Sequence, residues 1–123
     1  MADKILVVDD MDLNRVILNE ILSSKYEVIE ACDGREALGI IRKGADDICA
    51  MFLDIVMPVM NGIEVLGAMN EEGLIGKFPV FIITGDDAEE NEPVCRKLGA
   101  TDFVRKPFSN SVIRESLEKA LGR

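Results

Sequence analysis

The chain has 123 residues, 48% of them apolar and 30% charged, an ordinary composition for one water-soluble domain that buries a core without disulfides or structural metal. Its net charge of −9, from 14 basic and 23 acidic residues, argues against nucleic acid or an anionic membrane as a direct partner, because both demand basic patches. It has no histidine, which excludes histidine acid–base catalysis, histidine metal sites and Ser-His triads in one step.

Apolar periodicity gives the elements in order. KILVVD (4–9) is a short β-branched run expected of a buried parallel strand. Leu13, Val16, Ile17 and Ile21 then recur at helical spacing up to Ser23 and Ser24. YEVIEA (26–31) reads as a second strand, Asp33-Gly34 as a turn, and Ala37, Leu38 and Ile41 as a short helix ending at Gly44. ICAMFLD (48–54) is the third strand. Asn61 can cap a helix that carries Ile63, Leu66 and Met69 and stops at Gly73.

PVFIIT (79–84) is the fourth strand, preceding the acidic run Asp86, Asp87, Glu89, Glu90, which reads as a solvated loop. A short helix with a mobile start is expected between Ala88 and Leu98, stopped by Gly99; Pro93 must sit in its first turn or weaken it. TDFVR (101–105) is the fifth strand, and a last helix from near Ser109 presents Val112, Ile113, Leu117, Ala120 and Leu121. Five strands alternating with five helices through short loops predict an α/β fold, a doubly wound parallel sheet forming one domain over 1–123.

No stretch is long enough to span a membrane, and the chain passes from MADK straight into a strand-like run with no signal peptide. The three cysteines are odd in number and lack metal-site spacing; Cys32 and Cys49 lie in apolar stretches and read as buried thiols. A reducing, cytoplasmic setting is the expectation.

The polar residues gather at one edge of this scheme. Asp9 and Asp10 end the first strand, Asp54 the third and Thr84 the fourth, and Lys106 follows the fifth. Ligands of open parallel sheets bind beyond the carboxyl ends of the strands, so these five residues converge. Singly, each has a plainer reading: a solvated strand end, a turn cap, a strand threonine, a surface lysine. Together they put three carboxylates, a hydroxyl and an ammonium on one rim. Three close carboxylates repel unless a cation sits among them, and hard oxygen donors without histidine or thiolate select Mg2+, or Mn2+, over zinc. The ammonium and hydroxyl remain to hold an anion, and a phosphoryl group fits, with Asp54 as nucleophile and an aspartyl phosphate as product.

VVDD, FLDIVMPVMNG, FIITG and ATDFVRKPF, in that order over essentially the whole chain, resemble the receiver domains of two-component response regulators, chemotaxis-regulator-like in form. The resemblance implies a flavodoxin-like (βα)5 domain with strand order 2-1-3-4-5. It implies that Asp54 is the phospho-acceptor, that Asp10 binds Mg2+ directly and Asp9 through water, and that the Val56 backbone carbonyl adds a ligand. Thr84 and Lys106 match the family's hydroxyl and lysine, Phe103 its aromatic switch position, and Lys106-Pro107 its usual cis peptide. Val56 and Asp86 match the positions that tune dephosphorylation; an apolar Val56 cannot hold an attacking water, so a moderately long-lived phosphoryl state is expected. The implied partners are a sensor histidine kinase or histidine phosphotransfer protein, which must supply the histidine this chain lacks, and a downstream protein target or output domain. The implied switching surface is the face made by the fourth helix, fifth strand and fifth helix, through which a homodimer is also conceivable. The first helix, with Asn14 and Arg15, is expected to dock the phosphodonor.

A second reading is an Mg2+-dependent aspartate-nucleophile phosphatase, since Asp10-x-Asp12-x-Asn14 loosely resembles the haloacid-dehalogenase motif. There an acidic pair should follow the lysine, whereas Asp86-Asp87 precedes Lys106. A flavodoxin-like cofactor binder is weaker still, because no phosphate loop rich in Gly, Ser or Thr follows the first strand.

Overall fold

A computed structural model describes residues 4–85 and 88–122, apart from the side chains of 88 and 89. The expectations placed on Asp86 and Asp87 therefore lie outside the described residues, whereas Glu89 and Glu90, expected in a loop, belong to the helix Ala88–Leu98, which begins directly after Asp87.

The elements are β1 (Lys4–Val8), α1 (Asp12–Leu22), β2 (Glu27–Ala31), α2 (Gly34–Gly44), β3 (Ile48–Asp54), α3 (Gly62–Glu71), β4 (Val80–Thr84), α4 (Ala88–Leu98), β5 (Asp102–Arg105) and α5 (Asn110–Leu121). A single 3-10 turn at Ala45–Asp47 is too short to leave a periodic signal. The strands form one parallel sheet in the order β2-β1-β3-β4-β5, the doubly wound flavodoxin-like arrangement.

Side chains alternate across the sheet and divide the core in two. Leu6, Val8, Met51, Leu53 and Ile82 pack under Leu38, Ile41, Val65, Leu66 and Met69 of α2 and α3 and Cys95 of α4. Ile5, Val7, Phe52, Phe81 and Ile83 pack under Leu18 and Leu22 of α1 and Ile113 and Leu117 of α5. A register shift between Lys4 and Ile5 on the β1–β3 ladder accounts for Cys49 and Ala50 falling in the same half. Phe52 and Phe81 stack with ring centroids 5.0 Å apart.

β3 is buried along its whole length because helices cover both its faces. α3 opens with a capping box: Asn61 accepts from the Glu64 N–H, and Glu64 accepts from the Asn61 N–H. Gly62 is required there, since a Cβ would collide with the Asp54 carbonyl. Gly73 and Gly99, at φ 71° and 116°, stop α3 and α4 as anticipated.

Several expectations need correction. In α1 the buried residues are Leu18, Ile21 and Leu22, while Leu13 and Val16 are exposed. The run VILNEIL satisfies two neighbouring stripes, so periodicity alone did not choose the face. In α5 Ile113 and Leu117 are buried, but Val112 and Ala120 face solvent. α4 is as long as α1 and α2, at 11 residues, and carries Pro93 in its interior as the sixth residue. Cys32 is exposed, because β2 is an edge strand and the chain leaves it there; Cys49 and Cys95 are buried.

Candidate functional site

Three strands deliver the carboxylates. Asp54 is the last residue of β3 and only 7% exposed, Asp9 follows β1 and is fully buried, and Asp10 beside it is exposed. One oxygen from each lies within 4.8 Å of the other two. Thr84, the last residue of β4, is buried, and Lys106 follows β5. Asp10, Asp54, Val56, Thr84 and Lys106 line one cleft of about 290 Å³. The five convergent residues of the sequence reading are thus brought together.

Asp9 is held from every side but one. Its N–H donates to the Ala31 carbonyl at 3.1 Å, and its Oδ1 accepts from the Met11 N–H at 3.0 Å. Its Oδ2 has no hydrogen-bond partner, alone among the described buried side-chain nitrogens and oxygens, and lies 3.8 Å from the Lys106 ammonium. A buried carboxylate oxygen left without a hydrogen bond is costly, and a cation between it and its neighbours removes the cost. An all-oxygen donor set of this kind fits Mg2+ or Mn2+. Burial, and then the charge of Asp9, push the Asp54 carboxyl up from its ordinary 3.8 to about 7, with Lys106 and the Ile55 N–H pulling the other way. A carboxylate so destabilised gains from any positive charge that approaches it.

The other site residues face different tasks. The Thr84 hydroxyl donates to the Val104 carbonyl at 3.3 Å, so it is engaged on β5. The Lys106 N–H donates to the Thr84 carbonyl at 3.1 Å, tying the ends of β4 and β5. The Lys106–Pro107 peptide is cis. After Asp54 the chain turns through Ile55, whose carbonyl accepts from Gly62, and exposes Val56 while burying Met57. Val59 has φ 69° and closes a tight turn in which the Met60 N–H donates to the Pro58 carbonyl at 2.7 Å.

Phe103 does not reach the cleft. It is half-buried on β5, with the Arg96 guanidinium of α4 over its ring at 4.7 Å from the centroid. Arg15 is largely buried and engaged within the chain: it donates to the Asp9 carbonyl, to Glu30 and to Asp12. Asp12 is thereby engaged with Arg15, and neither it nor Asn14 lines the cleft, contrary to what the dehalogenase-like motif requires. Met11 and Asn91 do line the cleft, and the sequence reading missed both. Met11 directly follows the acidic pair and could have been noticed; Asn91 enters only through the placement of α4 beside β4.

The response regulator receiver domain model matches residues 5–118. The alkaline phosphatase synthesis transcriptional regulatory protein PhoP of Bacillus subtilis is 36% identical over 124 aligned residues, covering 100% of this chain and 50% of that protein. The chain therefore spans half the length of that relative. A chemotaxis protein CheY homologue of Campylobacter jejuni is 31% identical, covering 97% of this chain and 92% of that protein. The structure of chemotaxis protein CheY4 of Vibrio cholerae superposes with a TM-score of 0.87 at 30% identity, covering 98% of this chain and 100% of that one.

Proposed function

The chain belongs to the response regulator receiver domain family, whose members are phospho-accepting parts of two-component systems, and we propose that here Asp54 is the acceptor in an Mg2+-dependent transfer from a partner's phosphohistidine. One observation carries the reading. A buried, destabilised carboxylate ends the central strand, beside a second carboxylate with an unpaired oxygen and within one cleft with an ammonium and a hydroxyl.

An Asp54 oxygen attacks phosphorus; the P–O bond forms as the P–N bond to the partner imidazole breaks. Mg2+, held by Asp10, Asp54 and the Val56 carbonyl and by Asp9 through water, would neutralise charge on the carboxylates and on a phosphoryl oxygen. Lys106 leaves Asp9 to pair with the incoming anion. Thr84 exchanges its bond to Val104 for one to the phosphoryl group, which frees its side chain from β5. Phe103 then moves with Arg96, altering the face of α4, β5 and α5 that meets a downstream target, an output domain or a second copy of the chain. Beyond the Asp54 nucleophile, the transfer needs only positioning and charge from the chain. The chain's acidic balance supports protein partners, not nucleic acid or membrane. Among the described residues no helix is long and apolar enough to cross a membrane. The three free cysteines support a cytoplasmic setting.

Incubation with acetyl phosphate and Mg2+, followed by intact mass, should give one phosphoryl adduct that Asp54→Asn abolishes. Label retained at Asp10 in that variant would favour the phosphatase reading instead.

A further inference from the structure

The Asp9-Asp10 turn needs an anchor that the N-cap of α1 does not supply. The N-cap of α1 is Met11, which makes no side-chain capping bond. Asp9 is fully buried at this junction, and Asp10 must project from it into the cleft. The anchoring comes from one turn further along. Arg15 Nη1 donates to the Asp9 backbone carbonyl at 2.6 Å, Nε donates to Glu30 of β2 at 3.1 Å, and Nη2 pairs with Asp12. The side chain is only 14% exposed. The guanidinium fork thus spans three elements: the end of β1, the first turn of α1 and edge strand β2. Only a planar group with several fixed donors can do this; a lysine ammonium has the charge but not the fork.

We infer that Arg15 is a positioning residue for the cation site: by clamping the Asp9 carbonyl to Glu30 and Asp12, it fixes the backbone turn that aims Asp9 Oδ2 and Asp10 at one point. The inference rests on the proposed metal site and assigns it a support outside the cleft. With the Asp9 N–H on Ala31, its carbonyl on Arg15 and its Oδ1 on Met11, only Oδ2 is left to face the cleft. Partners of this indirect kind hold a ligand in place before the ion arrives, and their loss typically weakens metal binding about 10-fold or more.

For Arg15, electrostatics alone predicts the opposite sign, whereas for Glu30 it predicts the same one, so the arginine variants carry the decision. Removing a cation next to three carboxylates should tighten Mg2+ binding, and a lysine there should leave it unchanged. The test is a calorimetric Mg2+ titration of the intact protein, unphosphorylated, with far-UV circular dichroism and a thermal midpoint for each variant. Arg15→Ala and Arg15→Lys should both raise the Mg2+ Kd, by about 10-fold for alanine. Glu30→Gln, a change at a half-exposed carboxylate that should leave the fold intact, should raise it by a smaller factor. In metal-free protein the Asp10 and Met11 amide resonances should shift in all three variants. Unchanged or tighter Mg2+ binding in Arg15→Lys and Glu30→Gln would overturn the inference, as would a lowered thermal midpoint with Kd unmoved. If the unaltered protein binds no Mg2+, the metal site itself fails, and the inference fails with it, a result distinct from equal binding by all variants.

Discussion

In metal-free protein, Asp54→Asn should be more stable than the native sequence at pH 8, although it removes the residue on which the chemistry depends. Asp54 is 7% exposed, and burial and Asp9 together lift its carboxyl from 3.8 to about 7. A carboxyl raised on folding binds more protons folded than unfolded between those two values. Stability therefore falls as pH rises from about 4 to about 7 and is level beyond. A lift of that size corresponds to about 4 kcal/mol at most. Asp9 and Lys106 share the strain and can relax, so about 2 kcal/mol is the expected gain for asparagine, which has no proton to lose. Urea unfolding in EDTA at several pH values measures it. The two proteins should coincide near pH 4, diverge through pH 5 to 7 and run parallel above. Saturating Mg2+ should close or invert the gap, since an ion that binds only the folded state stabilises it in proportion to the logarithm of its concentration relative to Kd. Superimposable stability curves from pH 4 to 8 in EDTA would refute the argument, because they would mean that Asp54 carries no electrostatic penalty in the folded state.

Two further outcomes follow from the loop after β3. Val59 is 74% exposed and holds φ 69°, a left-handed conformation costly for a β-branched residue. Val59→Gly should therefore raise stability by about 0.5–1 kcal/mol after allowing for glycine's extra freedom when unfolded, read as a higher urea midpoint with unchanged slope. Val56 is 75% exposed at the mouth of the cleft and offers no hydrogen bond to a water. Once the phosphodonor is removed, the phosphoryl group should persist for minutes, and Val56→Asn should shorten that severalfold; a native half-life of seconds would contradict the assignment.

Local pattern in the chain was enough to place the elements and the edge at which the polar residues gather. Short apolar runs such as ICAMFLD, of strand length and bounded by turn residues, read as strands buried on both faces, and their alternation with helical segments leaves a parallel sheet as the economical arrangement. In such a sheet all strand ends point one way, so Asp9, Asp10, Asp54, Thr84 and Lys106 had to meet. The parts that periodicity misplaced were those decided by what lies next to each element in space. Cys32 is exposed because it lies just past the end of β2, an edge strand, and the buried stripe of α1 was chosen by its packing on β1 and α5, not by its own spacing. The same holds within the site. The pattern named Asp9 but not the lone unpaired oxygen on it, which depends on where Ala31, Met11 and Arg15 come to rest. Arg15 could be expected to meet a partner until folding brought Glu30 of β2 alongside it. Phe103 could be matched to a switch, but its cover, Arg96, comes from a different helix. Residue types and spacings specify which groups share an edge, because backbone geometry is local. Which of them are paired, stacked or left wanting a partner is a property of contacts between distant segments, and only the tertiary structure settles it.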